Sequence, residues 1–407
     1  MKKYTVCTVL STFGLCLGLL LGGCADWELL EEQVSTAAVE WKTTEMTREE
    51  APSSGDEEDG KEQNEQIYRF AYENLNEGEK LWYDDIFACL EQHGEDVTLD
   101  KEGIDRGLNE NSIDRIFQCV LMDHPELFYV EGYTYTKYNR GEKIVGIHFS
   151  GTYGLEPEQV NTRREEIQKA AAEILQAAPV NGTDYDKIKY VYETIIRSTE
   201  YDLHSPDNQN IYSVFVNHRS VCQGYAKSVQ YLLQHMGVEC TLVQGTVDTG
   251  EGHAWNLVKA DGDYYYVDAT WGDASYQAED ELSEGYVPEI SYDYLCVTTE
   301  QLLRTHMIDS YIPLPVCVAT KDNYYVREDA LFDSYDRERM RALFDRTFAE
   351  GRQEVTLKCT DNICFHEILD AMIENQEVFD YLGDSSQSVI YMHNEKQLSM
   401  TFWVTNE

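Results

Sequence analysis

From Cys222 onward, apolar side chains recur at Tyr225, Val229, Leu232, Leu233 and Met236, the three-and-four spacing that lines one face of a helix. Gly237 follows directly and suits the left-handed position that closes a helix. A strand-forming run covers residues 240–247, residues 246–252 form a Gly-containing link, and the period then turns to two. Residues 254–259 and 264–268 alternate about Ala260-Asp261-Gly262-Asp263, and an Asp-Gly between strand formers predicts a hairpin. With that dipeptide at the turn, Trp255 falls opposite Asp268 and His253 opposite Thr270. His253 and Trp255 share a face, because side chains repeat every second residue. His253 and Asp268 become diagonal neighbours, within reach for polar side chains.

The same reading divides the rest of the chain. Residues 75–92 and 112–122 predict helices, the second with Ile113, Ile116, Phe117 and Val120 on one side. A short strand at 97–99 separates them, and a hairpin at 127–138 and 143–149 turns around Asn139-Arg140-Gly141. A long helix at 156–178 begins with Pro157 and is followed by Pro179. Ile188, Val191, Tyr192 and Ile195 make the first stripe of a central core. Past an acidic, irregular stretch at 273–292, the order recurs: helix 334–350, strand 354–358, helix 365–373 and hairpin 388–404. The C-terminal region is therefore expected to repeat the plan of the N-terminal one.

Composition adds an address and excludes some partners. Lys2 and Lys3 precede a largely apolar run to Leu21, the layout of a secretory leader. Its end, Leu21-Gly22-Gly23-Cys24, resembles a bacterial lipobox, so Cys24 is the expected lipidation site. Acyl chains anchor by about 0.8 kcal/mol per buried methylene. Residues 24–66 carry fourteen acidic side chains against Lys42, Arg48 and Lys61, too polar to offset chain entropy by burial, and read as a disordered tether. The full chain of 407 residues holds 75 acidic and 32 basic residues, a net charge of −43. That balance argues against nucleic acid, whose phosphates need a basic surface.

Eleven cysteines are present. Cys7 and Cys16 lie in the leader and Cys24 at its end; Cys89, Cys119, Cys240, Cys296, Cys317, Cys359 and Cys364 scatter through helical and strand patterns, as buried free thiols do. No Cys/His set has zinc spacing and no EF-hand or phosphate loop occurs, so no cofactor or metal is expected. Cys222 stands apart. With Ser220 as N-cap it lies in the first helical turn, where the dipole and spare backbone N–H groups favour an anion on sulfur. Gly224 leaves the face beside the sulfur open. His253 can serve as its base, and Asp268 can hold the imidazole's tautomer from behind.

Val-Cys-Gln-Gly-Tyr-Ala, Gly-His-Ala-Trp-Asn and Asp-Ala-Thr-Trp-Gly-Asp resemble the three signature segments of bacterial transglutaminase-like proteins. The resemblance runs over residues 184–303. It implies an α+β fold with a papain-like core, a helix bearing Cys222 packed on an antiparallel sheet bearing His253 and Asp268; the pattern on either side adds two small α/β domains. It also implies Cys222 as nucleophile, His253 as general base and acid, Asp268 as the orienting group, and Trp255 and Trp271 as supporting aromatics. The expected layout is a leader at 1–23, lipidated tether at 24–66, N-terminal domain and linking helix at 67–179, core at 180–312 and C-terminal domain at 313–407. The expected function is a thiol enzyme on the outer face of a bacterial membrane, cleaving or transferring peptide or glutaminyl amides through a Cys thioester. Its substrate would be a protein or peptide, with cell-wall peptide among the choices. The alternative is a catalytically silent, lipid-anchored binding or scaffold protein of the cell envelope.

Overall fold

The computed structural model describes residues 4–7, 68–273, 289–382 and 387–406. The lipobox, Cys24, the acidic tether and most of the stretch at 273–292 lie outside the described residues. The chain divides into two compact units, Met1–Glu165 and Glu166–Glu407.

The first unit is α/β. It holds strand β1 (Tyr4–Cys7), helices α1 (Phe70–Glu73) and α2 (Glu77–Glu91), strand β2 (Val97–Thr98), helices α3 (Lys101–Asp105) and α4 (Glu110–Asp123), and a hairpin of β3 (Val130–Arg140) and β4 (Lys143–Tyr153). The sheet order is β1-β3-β4-β2. Asn76 and Asn109 cap α2 and α4 by accepting from free backbone N–H groups, which sets both starts beyond what apolar spacing shows. The predicted stripe of Ile113, Ile116, Phe117 and Val120 is fully buried. Helix α5 (Pro157–Gln176) starts at its proline, as expected.

The second unit carries the chemistry. Helix α6 (Asp184–Ser198) buries Ile188, Val191, Tyr192 and Ile195. Two short parallel strands, β5 (Glu200–Tyr201) and β6 (Arg219–Ser220), bracket the approach to helix α7 (Cys222–His235). The antiparallel sheet follows: β7 (Cys240–Val247), β8 (Gly252–Ala260) and β9 (Asp263–Val267). Its register is the one the Asp-Gly turn predicts, with Ala260 opposite Asp263 and Asn256 opposite Val267. The strand stops one residue short of the expected end, because Asp268 leaves it to cap helix α8 (Ala269–Gly272). Residues 246–252 are no loose link: Thr246 pairs with Gly252, closing a hairpin. After helix α9 (Thr299–Leu302), strand β10 (His306–Ile308) completes the sheet in the order β10-β7-β8-β9. The result is an α+β fold with a transglutaminase-like core, α6 and α7 packed on an antiparallel sheet.

The same unit continues through helix α10 (Tyr324–Arg327), strand β11 (Leu331–Phe332), helix α11 (Arg337–Ala349), strand β12 (Glu354–Cys359), helix α12 (Asn362–Leu369) and the hairpin β13 (Gln387–Asn394) and β14 (Ser399–Asn406). Here β12 pairs antiparallel with the second hairpin strand, Glu354 opposite Trp403. In the first unit β2 pairs antiparallel with β4, its own second hairpin strand, Val97 opposite Phe149. Helix, strand, helix and hairpin thus come in one order and one pairing in both places. The C-terminal sheet is tied to the core by buried Asp293, which accepts from Tyr325 OH at 3.0 Å and Ser399 Oγ at 2.7 Å.

Candidate active site

Cys222 is the first residue of α7, and the residue before it, Val221, makes no side-chain cap. Ser220 does not cap the helix as its type and place suggested. Its hydroxyl is spent 2.6 Å from Ser213 Oγ and 2.9 Å from the Asn208 carbonyl, which it donates to. The helix's first bond runs from Tyr225 N–H to the Val221 carbonyl, so the earlier N–H groups of the turn have no acceptor within the helix. They lie at the sulfur's end of the dipole. Gly224 has a different role from the expected one. A Cβ there would lie 2.0 Å from Ser220 Oγ and 3.1 Å from the Asn208 and Asn210 carbonyls, so this glycine admits the 208–210 loop against the helix.

Strand β8 delivers His253 opposite Gly245 of β7. Its Nε2 donates to Asp268 Oδ2 at 2.7 Å, and the Cys222 side chain is near enough to favour the ring's charged form. With Nε2 committed to the carboxylate, Nδ1 is left for the sulfur. Burial opposes a charge on this imidazole, but the Asp268 carboxylate and the Cys222 sulfur outweigh it and raise its pKa to about 10. Burial likewise works against the Asp268 anion, yet His253 and a second histidine, His306, hold the carboxyl below its ordinary range. The other oxygen, Oδ1, accepts from Thr270 N–H at 2.9 Å and Trp271 N–H at 3.1 Å. Capping α8 therefore locks the carboxylate while its Oδ2 faces the histidines.

Two further contacts set the spacing of helix and strand. Asn256 Nδ2 donates to the Ala226 carbonyl of α7 at 2.9 Å, pinning β8 to the Cys222 helix. Replacing Asn256 with Ala leaves that carbonyl buried without its donor, so unfolding free energy should fall by about 1–3 kcal/mol. Denaturant melts read this directly; a loss under about 0.5 kcal/mol would mean that the bond holds nothing. Tyr225 OH lies 3.0 Å from Asp273 Oδ2 and 2.9 Å from the Thr199 carbonyl, joining α7 to the last motif residue.

The two tryptophans that the resemblance implies lie beside the imidazole, Trp255 on β8 and Trp271 in α8. Trp255 is buried and stacks near the His253 ring, centroids 5.9 Å apart; Trp271 is 6.1 Å from the same ring. His306 was not legible in the chain. It follows a capped turn in a three-residue strand, with no motif around it, and it reaches the site only because β10 adds to the edge of β7. Gly245 permits that approach, since a Cβ there would lie 1.9 Å from the Met307 carbonyl. His306 Nε2 donates to Asp268 Oδ2 at 3.1 Å.

His253, Asp268 and His306 are also the residue types that bind metals, and their ligand atoms lie within 4.8 Å of one another. Both nitrogens sit on a single oxygen at direct hydrogen-bond distance, which leaves no space for an ion between them. The arrangement is a hydrogen-bonded cluster. Among the described residues, eight cysteines are free and buried. Burial raises the thiols of Cys89, Cys240, Cys296, Cys359 and Cys364, and pushes Cys119 and Cys317 up to about 12 and 11.

Residues 170–269 match the profile of the Transglutaminase-like superfamily. Kyphoscoliosis peptidase of Homo sapiens is 25% identical over 127 residues, 27% of this chain and 19% of that protein. The Mus musculus protein of the same name is 24% identical over the same shares. The chain thus spans about a fifth of the length of these curated relatives. Among solved structures, a TGase aligns with 13% identity and a TM-score of 0.26, covering 44% of this chain and 51% of that one. The periplasmic domain of TgpA from Pseudomonas aeruginosa aligns with 15% identity and a TM-score of 0.22, covering 35% and 60%.

Proposed function

We infer that the transglutaminase-like domain of this chain is a thiol enzyme that opens amide bonds through a Cys222 thioester. The observation that carries the reading is the 2.7 Å bond between His253 Nε2 and Asp268 Oδ2, with Cys222 at the start of α7 near enough to raise the same imidazole. In this reading Cys222 transfers its proton to His253 Nδ1, and the thiolate attacks the amide carbon. The carbonyl π electrons move to oxygen, and N–H groups at the start of α7 receive the oxyanion. Its collapse reforms the carbonyl and breaks the C–N bond; the leaving amine takes the proton from His253. Water or an incoming amine then attacks the thioester, with His253 as base, and Cys222 is released.

Water gives hydrolysis and an amine gives transfer or crosslinking, since both use the same three side chains. Cleavage before Cys24 and acylation of its thiol would set the domain on the outer face of a bacterial membrane, where protein and cell-wall peptides are the available amides. The test is mass spectrometry of Cys222 after incubation with glutamine-containing peptides and a primary amine. An acyl adduct on Cys222 is expected, with product masses reporting deamidation, amine incorporation or cleavage. Unmodified Cys222 and unchanged peptides across a broad peptide set would favour the silent scaffold.

A further inference from the structure

Asp268 accepts four hydrogen bonds, two on each oxygen, so every lone-pair direction of the carboxylate is taken. The fourth donor, His306, is itself held from behind. Its Nδ1 lies 2.8 Å from Thr305 Oγ1, which lies 3.0 Å from Tyr294 OH. Gln397 Nε2, from the turn between β13 and β14, donates to Tyr294 OH at 3.1 Å. Gln397 Oε1 in turn accepts from Lys358 Nζ of β12 at 3.2 Å. Because a carboxylate only accepts, His306 Nε2 carries a proton. Gln397 Nε2 donates to the tyrosine, and Thr305 Oγ1, between Tyr294 and His306, also has the Leu302 carbonyl within 3.5 Å as an acceptor. The network therefore holds His306 at both ring nitrogens, Nε2 on Asp268 and Nδ1 on Thr305. The ring is also fixed by packing, with centroids 4.8 Å from Trp271, 5.0 Å from Trp255 and 5.4 Å from Tyr294.

We propose that His306 is a positioning residue for the Cys222–His253 pair: it fixes the Asp268 carboxylate through Oδ2, and the C-terminal sheet orients it through Gln397, Tyr294 and Thr305. The proposal rests on the thiol-enzyme reading of the same site. A buried histidine that merely fills space would also be packed by aromatics. It would not need its donor aimed at the one oxygen that orients the base, nor a directional chain behind it.

The groups facing Asp268 define what titrates. They are His253 on β8, His306 on β10, Cys222 beyond His253, Tyr192 on α6 and Tyr294. Burial keeps both tyrosines protonated far above neutrality, while Asp268 is held anionic and His253 cationic through neutral pH. Losing the His306 donor makes the Asp268 anion harder to hold, and its protonation moves to higher pH.

The experiment compares full-length wild type, His306→Leu and His306→Gln by the pH dependence of Cys222 alkylation with iodoacetamide. Gln is chosen because its Nε2 can replace the lost donor. In His306→Leu the rate at neutral pH should fall about tenfold, the size of one charge-assisted hydrogen bond. The acid limb should also move up by about one pH unit. His306→Gln should restore both to within about threefold of wild type. An even loss at every pH with no shift of the limb, or no rescue by Gln in a folded protein, overturns the proposal. Should His306→Leu not fold, Thr305→Val cuts the relay behind Nδ1 and should act in the same direction by about threefold. A wild-type Cys222 no more reactive than a free thiol would sink the enzyme reading alone. The brace is then read from the Nε2–H proton of His253 by NMR, which should shift in His306→Leu and return in His306→Gln; an unmoved resonance overturns it.

Discussion

Removing the imidazole by His253→Ala should slow alkylation of Cys222 at pH 6 by about a hundredfold. An ordinary thiol is only about 0.3% ionised at that pH. An imidazolium beside a thiol favours its thiolate form, though lower basicity gives back part of the gain in rate. His253 remains cationic through this range because the Asp268 carboxylate and the Cys222 sulfur, against burial, raise it to about 10. The measurement is clean, because burial raises the thiols of the other seven described cysteines. It also leaves Asp268 with three of its four donors, so the fold around α8 survives the change. Equal rates for wild type and variant at pH 6 would mean that the sulfur and the imidazole are not a working pair.

Asp268→Asn should be the more damaging change to turnover, on the order of 10⁴-fold, the effect of the equivalent change in a Ser-His-Asp site. Asn keeps an oxygen for Thr270 and Trp271 N–H, so the cap of α8 is retained. Its amide then meets two imidazole N–H donors with donors of its own. The histidines can satisfy it only by moving their protons to Nδ1. For His253 that places a proton where the sulfur's proton must go, and the base becomes a donor. A variant that folds as wild type and keeps more than a tenth of the turnover would exclude this role for the carboxylate.

The pair also sets a pH window for stability. His253 is raised from 6.5 to about 10, so its contribution is complete below 6.5 and is lost as pH rises through about 10. Asp268 is lowered from 3.8, so its contribution is complete above 3.8 and is lost only as pH falls further.

Most of this site could be read before any coordinates, and for a local reason. A helix shows its buried face by three-and-four spacing, and an Asp-Gly turn commits the strands on either side to one register. Those two rules put Cys222 at a helix tip and His253 diagonal to Asp268, only 15 residues away. The supporting tryptophans come from the resemblance to the transglutaminase-like segments. The transglutaminase-like segments carry the order of the three groups.

What lay beyond the sequence depends on contacts between distant segments. Ser220 is the right type of residue for a cap, but packing against Ser213 and Asn208 claims its hydroxyl first. Gly224 looks like an open face beside the sulfur until the 208–210 loop is seen against it. His306 lies 38 residues from Asp268, and Gln397 lies 103 from Tyr294. No periodicity spans such separations, because which strand joins a sheet edge is chosen by burial over the whole unit. The chain alone determined the helix, the hairpin and the three groups they carry; the folded unit chose what holds the carboxylate behind them.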